Sequence, residues 1–305
     1  MLTIAVFTKN YTNPAYAAAR LGAERTAARL GGRATHYVPR QPDNLDEQIA
    51  LVERAVADRP DAVVFAPVHA TRMDDSVRRL NTARIPVVNF INRLAMGGYV
   101  TYVGSDDVRL ARAIALRLLE HLGGRGDIVV LEGVPGAVSS RDRLRGFQDA
   151  VRDNPGARIV ASRPADYQRE TAKRVTRELL ASLPRIDGIL SANDVMSLGA
   201  IDALQEAGRR IPLIGVNALP EAIAELKSGR LLATVDFDAM KISCVATEAA
   251  IRHLRGQPVP PDIELPVQIV DASNCAPWDR PLEERECPRW EDVVKEEGAK
   301  RTVER

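Results

Sequence analysis

The stretch Leu2-Thr-Ile-Ala-Val-Phe-Thr-Lys-Asn-Tyr-Thr-Asn-Pro14 joins an apolar run, a polar loop and a proline that can begin a helix. The same order returns where Asp127-Ile-Val-Val-Leu131 leads through Glu132-Gly-Val-Pro-Gly136 into a helix at Ser139-Ser-Arg-Asp142. Continuous apolar strands are typical of parallel sheets buried on both faces, and ligands of such sheets bind beyond the carboxyl ends of the strands. The sequence therefore predicts two α/β units, each with a loop edge suited to ligand binding.

Length and charge narrow the class of protein. The chain has 305 residues, which corresponds to about two domains, and its 45% hydrophobic content is ample for two cores. Its 42 Lys and Arg balance 41 Asp and Glu, which gives no reason to expect a nucleic-acid or membrane-surface partner. Met1 leads directly into a strand, so we expect any secretory signal to have been removed or never to have existed.

Apolar runs alternate with amphipathic helices, which predicts parallel strands with right-handed crossovers. The predicted strands of the first sheet are Leu2–Phe7, Ala34–Val38, Ala62–Phe65, Val87–Ile91 and Val100–Gly104. Those of the second sheet are Asp127–Leu131, Arg158–Ala161, Gly188–Ser191, Leu213–Val216 and Ala233–Val235. A long helix is predicted over Phe237–Leu254, and the charged segment from Asp271 onward is predicted to be a surface appendage whose tryptophans dock on the body.

The three cysteines leave the redox compartment open. Cys244 lies in a helical pattern and is most simply a buried apolar residue. Cys275 and Cys287 flank a loop and either close it as a disulfide or stay unpaired. A disulfide would favour an oxidising compartment.

The sequence lacks the common signatures of catalysis. Its four histidines have no metal-like spacing, and the dinucleotide-binding, Walker and nucleophile-elbow motifs are absent. Lys9 follows the first strand, where a Schiff-base lysine is conceivable, yet nothing marks its pKa as lowered. We therefore expect a binding protein without enzymatic activity, metal or cofactor.

Polar and aromatic residues collect at the predicted strand ends instead. They are Lys9, Asn13, Tyr16, Asn92, Arg93, Arg141, Tyr167, Asn193, Asn217 and Phe237. Singly, each has an ordinary explanation: Asn193 as a helix cap, Arg141 as a partner of Asp142, the tyrosines as packing. Together, amides, guanidinium groups and aromatic faces form the combination that holds hydroxyl-rich small molecules.

Several motifs follow one another between residue 2 and about residue 270. They are Ile4-Ala-Val-Phe7, Asn13-Pro14, Gly104-Ser-Asp106, Ser140-Arg-Asp-Arg-Leu-Arg-Gly-Phe147, Arg163-Pro-Ala-Asp-Tyr167, Ser191-Ala-Asn-Asp-Val-Met-Ser-Leu-Gly-Ala200 and Gly229-Arg-Leu-Leu-Ala-Thr234. In this set and order the chain closely resembles the type I periplasmic sugar-binding proteins of ABC transporters, the ribose-binding group in particular.

The resemblance implies two Rossmann-like parallel-sheet lobes joined by a three-strand hinge, with a sugar, polyol or sugar acid captured between them. The first lobe would comprise residues 1–104 and 237–265, the second 105–236 and 266–270, with 271–305 as a charged tail packed on the surface. It further implies a monomeric periplasmic receptor that serves an ABC permease. The same resemblance makes the strand-end residues ligand contacts, with Ala15 and Val216 among them.

Departures from the ribose-type pattern argue against assuming ribose as the ligand. The pattern has serine at Lys9, phenylalanine at Ala15, aspartates at Asn92 and Asn217, and glutamine at Phe237.

The cations Lys9, Arg93 and Arg141 also need compensation, because like charges about 4 Å apart repel by about 4 kcal/mol at an effective dielectric near 20. Asp142, Asp194 or Asp236 would supply it around a neutral ligand, which we favour; a ligand carboxylate is the alternative. Two other classes of protein are alternatives to a solute receptor. One is a LacI-type effector domain without its DNA-binding part, and the other is an enzyme.

Overall fold

The structure, a computed structural model, describes residues 1–294. The chain forms two compact units. The first contains Met1–Gly104, Ala239–Leu265 and the described residues from Glu286 onward. The second contains Ser105–Asp238 and Pro266–Arg285.

The C-terminal segment differs in organisation from the single appendage predicted above. Its residues up to Arg285 belong to the second unit, and those from Glu286 belong to the first. The chain therefore passes between the units once more than a three-strand hinge requires. Residues 295–305, the end of the predicted tail, lie outside the described residues.

Strands and helices alternate along most of residues 1–294. The strands are β1 (Leu2–Phe7), β2 (Gly32–Tyr37), β3 (Ala62–Phe65), β4 (Val87–Phe90), β5 (Thr101–Gly104), β6 (Arg125–Glu132), β7 (Gly156–Pro164), β8 (Gly188–Ser191), β9 (Leu213–Val216), β10 (Ala233–Asp236), β11 (Asp262–Glu264) and β12 (Gln268–Val270). The helices are α1 (Pro14–Arg29), α2 (Leu45–Asp58), α3 (Asp74–Thr82), α4 (Asp107–His121), α5 (Val138–Arg152), α6 (Arg169–Ser182), α7 (Asp194–Glu206), α8 (Pro220–Lys227), α9 (Ala239–Leu254) and α10 (Trp290–Val293).

Each unit is built on a six-stranded sheet. The order in the first is β11-β5-β4-β3-β1-β2, with parallel neighbours throughout. The order in the second is β12-β10-β9-β8-β6-β7, in which only the β12–β10 pair is antiparallel. The central strands are buried along their whole length, as strands covered by helices on both faces must be. The predicted α/β fold of two parallel-sheet units is confirmed.

Close contacts between neighbouring strands and between two helices hold the first unit together. In the first unit, Phe7 stacks on Tyr37 with ring centroids 4.8 Å apart and meets Phe65 edge-on at 5.2 Å. A Cβ added at Gly22 of α1 would lie 2.6 Å from the carbonyl oxygen of Met240 on α9. The glycine therefore allows the two helix backbones to approach closely.

Side-chain caps begin three helices in the loops that follow β1, β5 and β8. The Asn13 side chain accepts a hydrogen bond from the Ala15 N–H, and Pro14 occupies the first helical position. Asp106 accepts from two N–H groups at the start of α4, and Asn193 accepts from the Met196 N–H in α7. These caps hold polar side chains at the carboxyl edges of the sheets.

Helix α9 begins at Ala239, two residues later than predicted. Asp238 has a φ of 51°, and its N–H donates to Oδ1 of Asp236 at 2.6 Å. This turn breaks the helical path, so Phe237 lies outside the helix.

The disulfide joins Cys244 to Cys287, with 5.8 Å between their Cα atoms, and Cys275 is a buried free thiol. The Cys275–Cys287 bond considered above is therefore wrong, as is the interpretation of Cys244 as simple packing. The reason is spatial: Cys244 and Cys287 lie in the first unit, whereas Cys275 lies in the second. The docking predicted for Trp290 is confirmed, since its ring is buried and lies 4.6 Å from Cζ of Arg252.

Candidate functional site

Lys9 forms an ion pair with Asp43, a carboxylate that the sequence analysis did not predict as its partner. Its side chain is 3% exposed, and its Nζ lies 2.9 Å from Oδ1 of Asp43. Asn10 donates from Nδ2 to the other oxygen of Asp43 at 2.8 Å, and it accepts from the Asn13 N–H at 2.9 Å. The loop after β1 is therefore tied together by Asp43, and the Lys9 charge is compensated within the first unit.

Tyr16 and Asn92 meet in the same unit, although they are far apart in sequence. The Tyr16 hydroxyl donates to Oδ1 of Asn92 at 3.3 Å, and both side chains are buried. Asn89 shapes the loop that carries Asn92: its Nδ2 donates to the carbonyls of Phe65 and Asn92, and its Oδ1 accepts from the Leu94 N–H. Sequence reasoning missed Asn89 because it lies inside a strand run.

Arg93 is held from two sides. Its Nη1 lies 2.7 Å from Oδ2 of Asp262, and its Cζ lies 3.8 Å from the ring centroid of Tyr102. Both charged side chains are nearly half exposed, so the ion pair contributes little to stability. The pair still gives the Arg93 charge a partner of its own.

Asn193 and Asn217 offer the clearest binding groups of the second unit. Asn193 is 1% exposed and uses Oδ1 as a helix cap, while its Nδ2 has no hydrogen-bond partner within residues 1–294. Asn217 is 8% exposed, and its Oδ1 likewise has no partner in that part of the chain. An unpaired buried polar group costs about 1–3 kcal/mol, so such groups are usually satisfied by something. Here they are one donor and one acceptor.

Asp194 fixes the loop that carries Asn217. Its two oxygens accept from the Leu219 N–H at 2.9 Å and from the Thr234 hydroxyl at 2.7 Å. Burial raises the pKa of Asp194 to about 6, against its hydrogen bonds, which lower it. Gly215 is required beside it, because a Cβ there would overlap the carboxylate. The interactions of Asp194 are thus those of a structural residue.

Two aromatic side chains of the second unit sit in restricted positions. Tyr167 has a φ of 57°, its hydroxyl lies 3.1 Å from that of Ser139, and its ring fills the space a side chain at Gly133 would need. The buried ring of Phe237 faces the guanidinium of Arg143, whose Cζ lies 5.5 Å from the ring centroid.

The structure gives Arg141 and Arg143 different surroundings. Arg141 is 70% exposed, and its Nε lies 3.0 Å from Oδ1 of Asp142, the ordinary pairing that the sequence left open. Arg143 is buried and donates to Asp107 and to the Ala192 carbonyl, each at 2.7 Å. Burial raises the pKa of Asp107 even though Arg143 opposes the shift. Sequence reasoning missed Arg143, whose only signal was a second arginine at the same helix start.

The three cations considered above are therefore each paired with a carboxylate of their own unit. Of these partners, Asp142 was anticipated, whereas Asp43 and Asp262 were not. Asp194 and Asp236 accept hydrogen bonds from neutral groups instead.

Residues 1–294 contain no group of three His, Cys, Asp or Glu side chains arranged to hold a metal ion. Within the same residues, no helix combines the length and apolar character of a membrane span.

Comparisons with known proteins agree on one family. The profile of the periplasmic binding protein domain matches residues 4–258. The ribose import binding protein of Bacillus subtilis (strain 168) is 30% identical over 267 residues, which cover 88% of this chain and 86% of that protein. The D-ribose/D-allose-binding protein of Pseudomonas aeruginosa is 31% identical over 237 residues, or 74% of each chain.

A solved structure extends this agreement to three dimensions. The periplasmic solute-binding protein of an ABC transporter from Actinobacillus succinogenes 130z, with bound D-allose, superimposes with a TM-score of 0.86. It is 29% identical, and the match covers 90% of this chain and 99% of that one. The resemblance drawn from the motifs is confirmed. The chain belongs to the periplasmic binding protein family and has the type I fold of the sugar-binding proteins of ABC transporters.

Proposed function

We propose that this protein is a receptor for one small neutral polyhydroxylated ligand, a sugar or a polyol, which it delivers to the permease of an ABC transporter. It acts as a monomer in the periplasm and releases its ligand chemically unchanged. The named relatives that bind D-ribose or D-allose support the ligand class. The residues of this chain make the class more specific.

The proposal rests on the Nδ2 of Asn193 and the Oδ1 of Asn217, each buried without a hydrogen-bond partner within residues 1–294. The Nδ2 of Asn193 needs an acceptor, and the Oδ1 of Asn217 needs a donor. A hydroxyl group supplies both roles, whereas a carboxylate can only accept. A ligand with neighbouring hydroxyls therefore satisfies both groups, and a carboxylate placed there leaves Asn217 unsatisfied.

The compensated cations support a neutral ligand as well. Lys9, Arg93 and Arg141 each have a carboxylate within 3.0 Å, so their charges do not require one from the ligand. The exposed guanidinium of Arg141 keeps donors available for hydroxyl groups beyond its contact with Asp142. Tyr16, Tyr167 and Phe237 add aromatic faces for the C–H surfaces of a sugar ring.

Calorimetric titration with D-ribose, D-allose and xylitol tests the proposal. At least one of them should bind, and Asn193→Asp and Asn217→Ala should each weaken binding by about 1–3 kcal/mol, since each removes the proposed partner of a ligand hydroxyl. Asn193→Asp keeps the oxygen that caps α7 and removes only the Nδ2 donor. Asn154→Ala is the matched control, because Asn154 follows α5 at the opposite edge of the sheet and bonds to the Ala150 carbonyl at 2.8 Å. Equal affinities for all three variants would remove the asparagines from the site.

Binding must also be separated from catalysis. The NMR spectrum of the bound sugar, recorded after prolonged incubation with the protein and release, should match that of the untreated sugar. A new set of sugar resonances would show turnover and contradict a pure receptor.

A further inference from the structure

A residue beyond the family-matched segment reaches the neighbourhood of Phe237. The match ends at residue 258, and Trp278 lies in the C-terminal segment of the second unit. Its indole Nε1 donates a hydrogen bond to Oδ2 of Asp236 at 2.6 Å. Asp236 directly precedes Phe237, one of the candidate ligand contacts.

The other oxygen of the same carboxylate fixes the local backbone. Oδ1 of Asp236 accepts from the Asp238 N–H at 2.6 Å, and Asp238 takes a left-handed conformation with φ 51°. Phe237 is the residue enclosed by this turn. A carboxylate that closes the turn with one oxygen and is held by an indole with the other controls where the Phe237 ring lies.

The indole contact also stabilises a group that is unfavourable to bury. Asp236 is buried, and its burial together with the nearby Asp238 raises the pKa of its carboxyl above the ordinary range. Trp278 opposes this shift by donating to the carboxylate. Without the indole, one carboxylate oxygen would lose its charge-assisted hydrogen bond while remaining buried.

The segment that carries Trp278 is itself anchored within the second unit. It enters through β12, which pairs with β10 so that Gln268 lies opposite Asp236. Beyond Trp278, Asp279 forms an ion pair with Lys227, and Nη2 of Arg285 donates to the Trp278 carbonyl at 3.3 Å. The indole is thus held in place from both sides.

We propose that Trp278 is a positioning residue of the ligand site: through Asp236 it holds the turn that presents Phe237. The effect on ligand affinity rests on the function proposed above; the effect on Phe237 itself does not. A segment beyond the profile match to residues 4–258 thereby becomes part of the proposed binding apparatus.

Fluorine NMR of protein labelled with 4-fluorophenylalanine tests the positioning without any ligand. The chain has five phenylalanines, and Phe237→Leu identifies the resonance of Phe237. Trp278→Leu should shift or broaden that resonance and leave the other four in place. Asp236→Asn, which keeps one acceptor for the turn but not both, should act on the same resonance. Trp290→Leu, the same substitution in the first unit, should not.

The affinity for D-allose or D-ribose, whichever binds the unmodified protein more tightly, gives the second readout. Trp278→Leu should weaken it about tenfold, and Trp290→Leu should leave it within about twofold. A Phe237 resonance that neither Trp278→Leu nor Asp236→Asn moves would overturn the inference. A wild-type protein that binds neither sugar would count against the proposed function, and the fluorine result would still decide the positioning role.

Discussion

The Nζ of Lys9 lies 2.9 Å from Oδ1 of Asp43, and the two side chains are only 3% and 10% exposed. The backbone strengthens this relationship, since the Asp43 N–H donates to the Lys9 carbonyl at 3.1 Å. A buried ammonium group with its own carboxylate does not need the charge of a ligand. The pair therefore favours a neutral sugar over a sugar acid as the proposed ligand.

Asp43→Asn should destabilise the protein strongly. It leaves Lys9 buried without a full counter-charge, and breaking a buried ion pair from one side costs about 3 kcal/mol or more. The free energy of unfolding from urea denaturation measures the effect. The variant should also gain affinity for sugar acids, because a cation becomes available to a ligand carboxylate.

Asp262→Asn is the matched control for this change. Its ion pair with Arg93 is nearly half exposed on both sides, so the loss should stay below about 1 kcal/mol. Equal losses in the two variants would mean that Lys9 and Asp43 do not form the buried pair described here.

Arg141→Ala and Arg143→Met should separate binding from stability. Arg141 is 70% exposed and paired with its neighbour, so its removal should change the free energy of unfolding by less than about 0.5 kcal/mol. Because we propose Arg141 as a ligand contact, Arg141→Ala should weaken binding by about 1.5–3 kcal/mol.

Arg143→Met should instead lower stability by about 3 kcal/mol or more, because it leaves Asp107 buried without its partner. Denaturation and calorimetry on both variants give the comparison. A stable Arg143→Met protein, or an Arg141→Ala protein with unchanged affinity, would reverse the roles assigned to the two arginines.

The part of the stability that Asp194 contributes should fall as the pH rises from about 4 to about 6. Burial raises the pKa of Asp194 from 3.8 to about 6, so in this window the unfolded chain releases a proton that the folded protein keeps. The free energy of unfolding contributed by Asp194 is complete below pH 3.8 and is lost as the pH passes 6, at most about 3 kcal/mol.

Asp194→Asn should reduce this slope, because an amide does not titrate in this pH range. The fold should be kept, since the amide can still accept from the Leu219 N–H and donate to Thr234. Urea denaturation of both proteins at several pH values between 4 and 7 measures the difference. Asp107 and Asp236 also have raised pKa values and should preserve part of the slope. Identical pH profiles for wild type and variant would contradict the assignment to Asp194.

The disulfide should stabilise the C-terminal segment. Cys244 and Cys287 are 43 residues apart in sequence, and closing a loop of that length contributes about 4 kcal/mol in the chain-entropy description. Cys287→Ser should therefore lower the free energy of unfolding by a large part of this amount. Cys275→Ser should change it little, since that thiol forms no disulfide. A larger loss in Cys275→Ser would contradict the observed pairing.

Local patterns were sufficient to predict most of the sheets. Runs such as Ala62–Phe65 and Leu213–Val216 are strands with the predicted bounds, because an apolar run between helical patterns specifies a strand covered on both faces. Two strands of three residues, β11 and β12, were missed, since they are too short for any periodicity to show.

Ion-pair and disulfide partners that lie far apart in the chain could not be predicted from the sequence. Asp43 and Asp262 pair with cations that precede them by many residues. Cys287 forms a disulfide with Cys244, which lies 43 residues earlier in the chain. Nothing in the local chain around these residues specifies those contacts. The exposed Arg141 was singled out, while the buried Arg143 was not, because burial depends on the folded environment.

Calorimetric titration with ribitol and D-ribonate tests the central claim, that the ligand is neutral. The corresponding alcohol and acid replace this pair if another sugar of the panel binds more tightly. At about 0.02 M and about 0.2 M salt, screening separates charge attraction from hydrogen bonding. The compensated cations predict that the alcohol binds more tightly, with the same affinity at both salt concentrations. The Nδ2 of Asn193 and the Oδ1 of Asn217, which have no partner within residues 1–294, support the same prediction. Tighter binding of the acid, weakened by salt, would contradict the account.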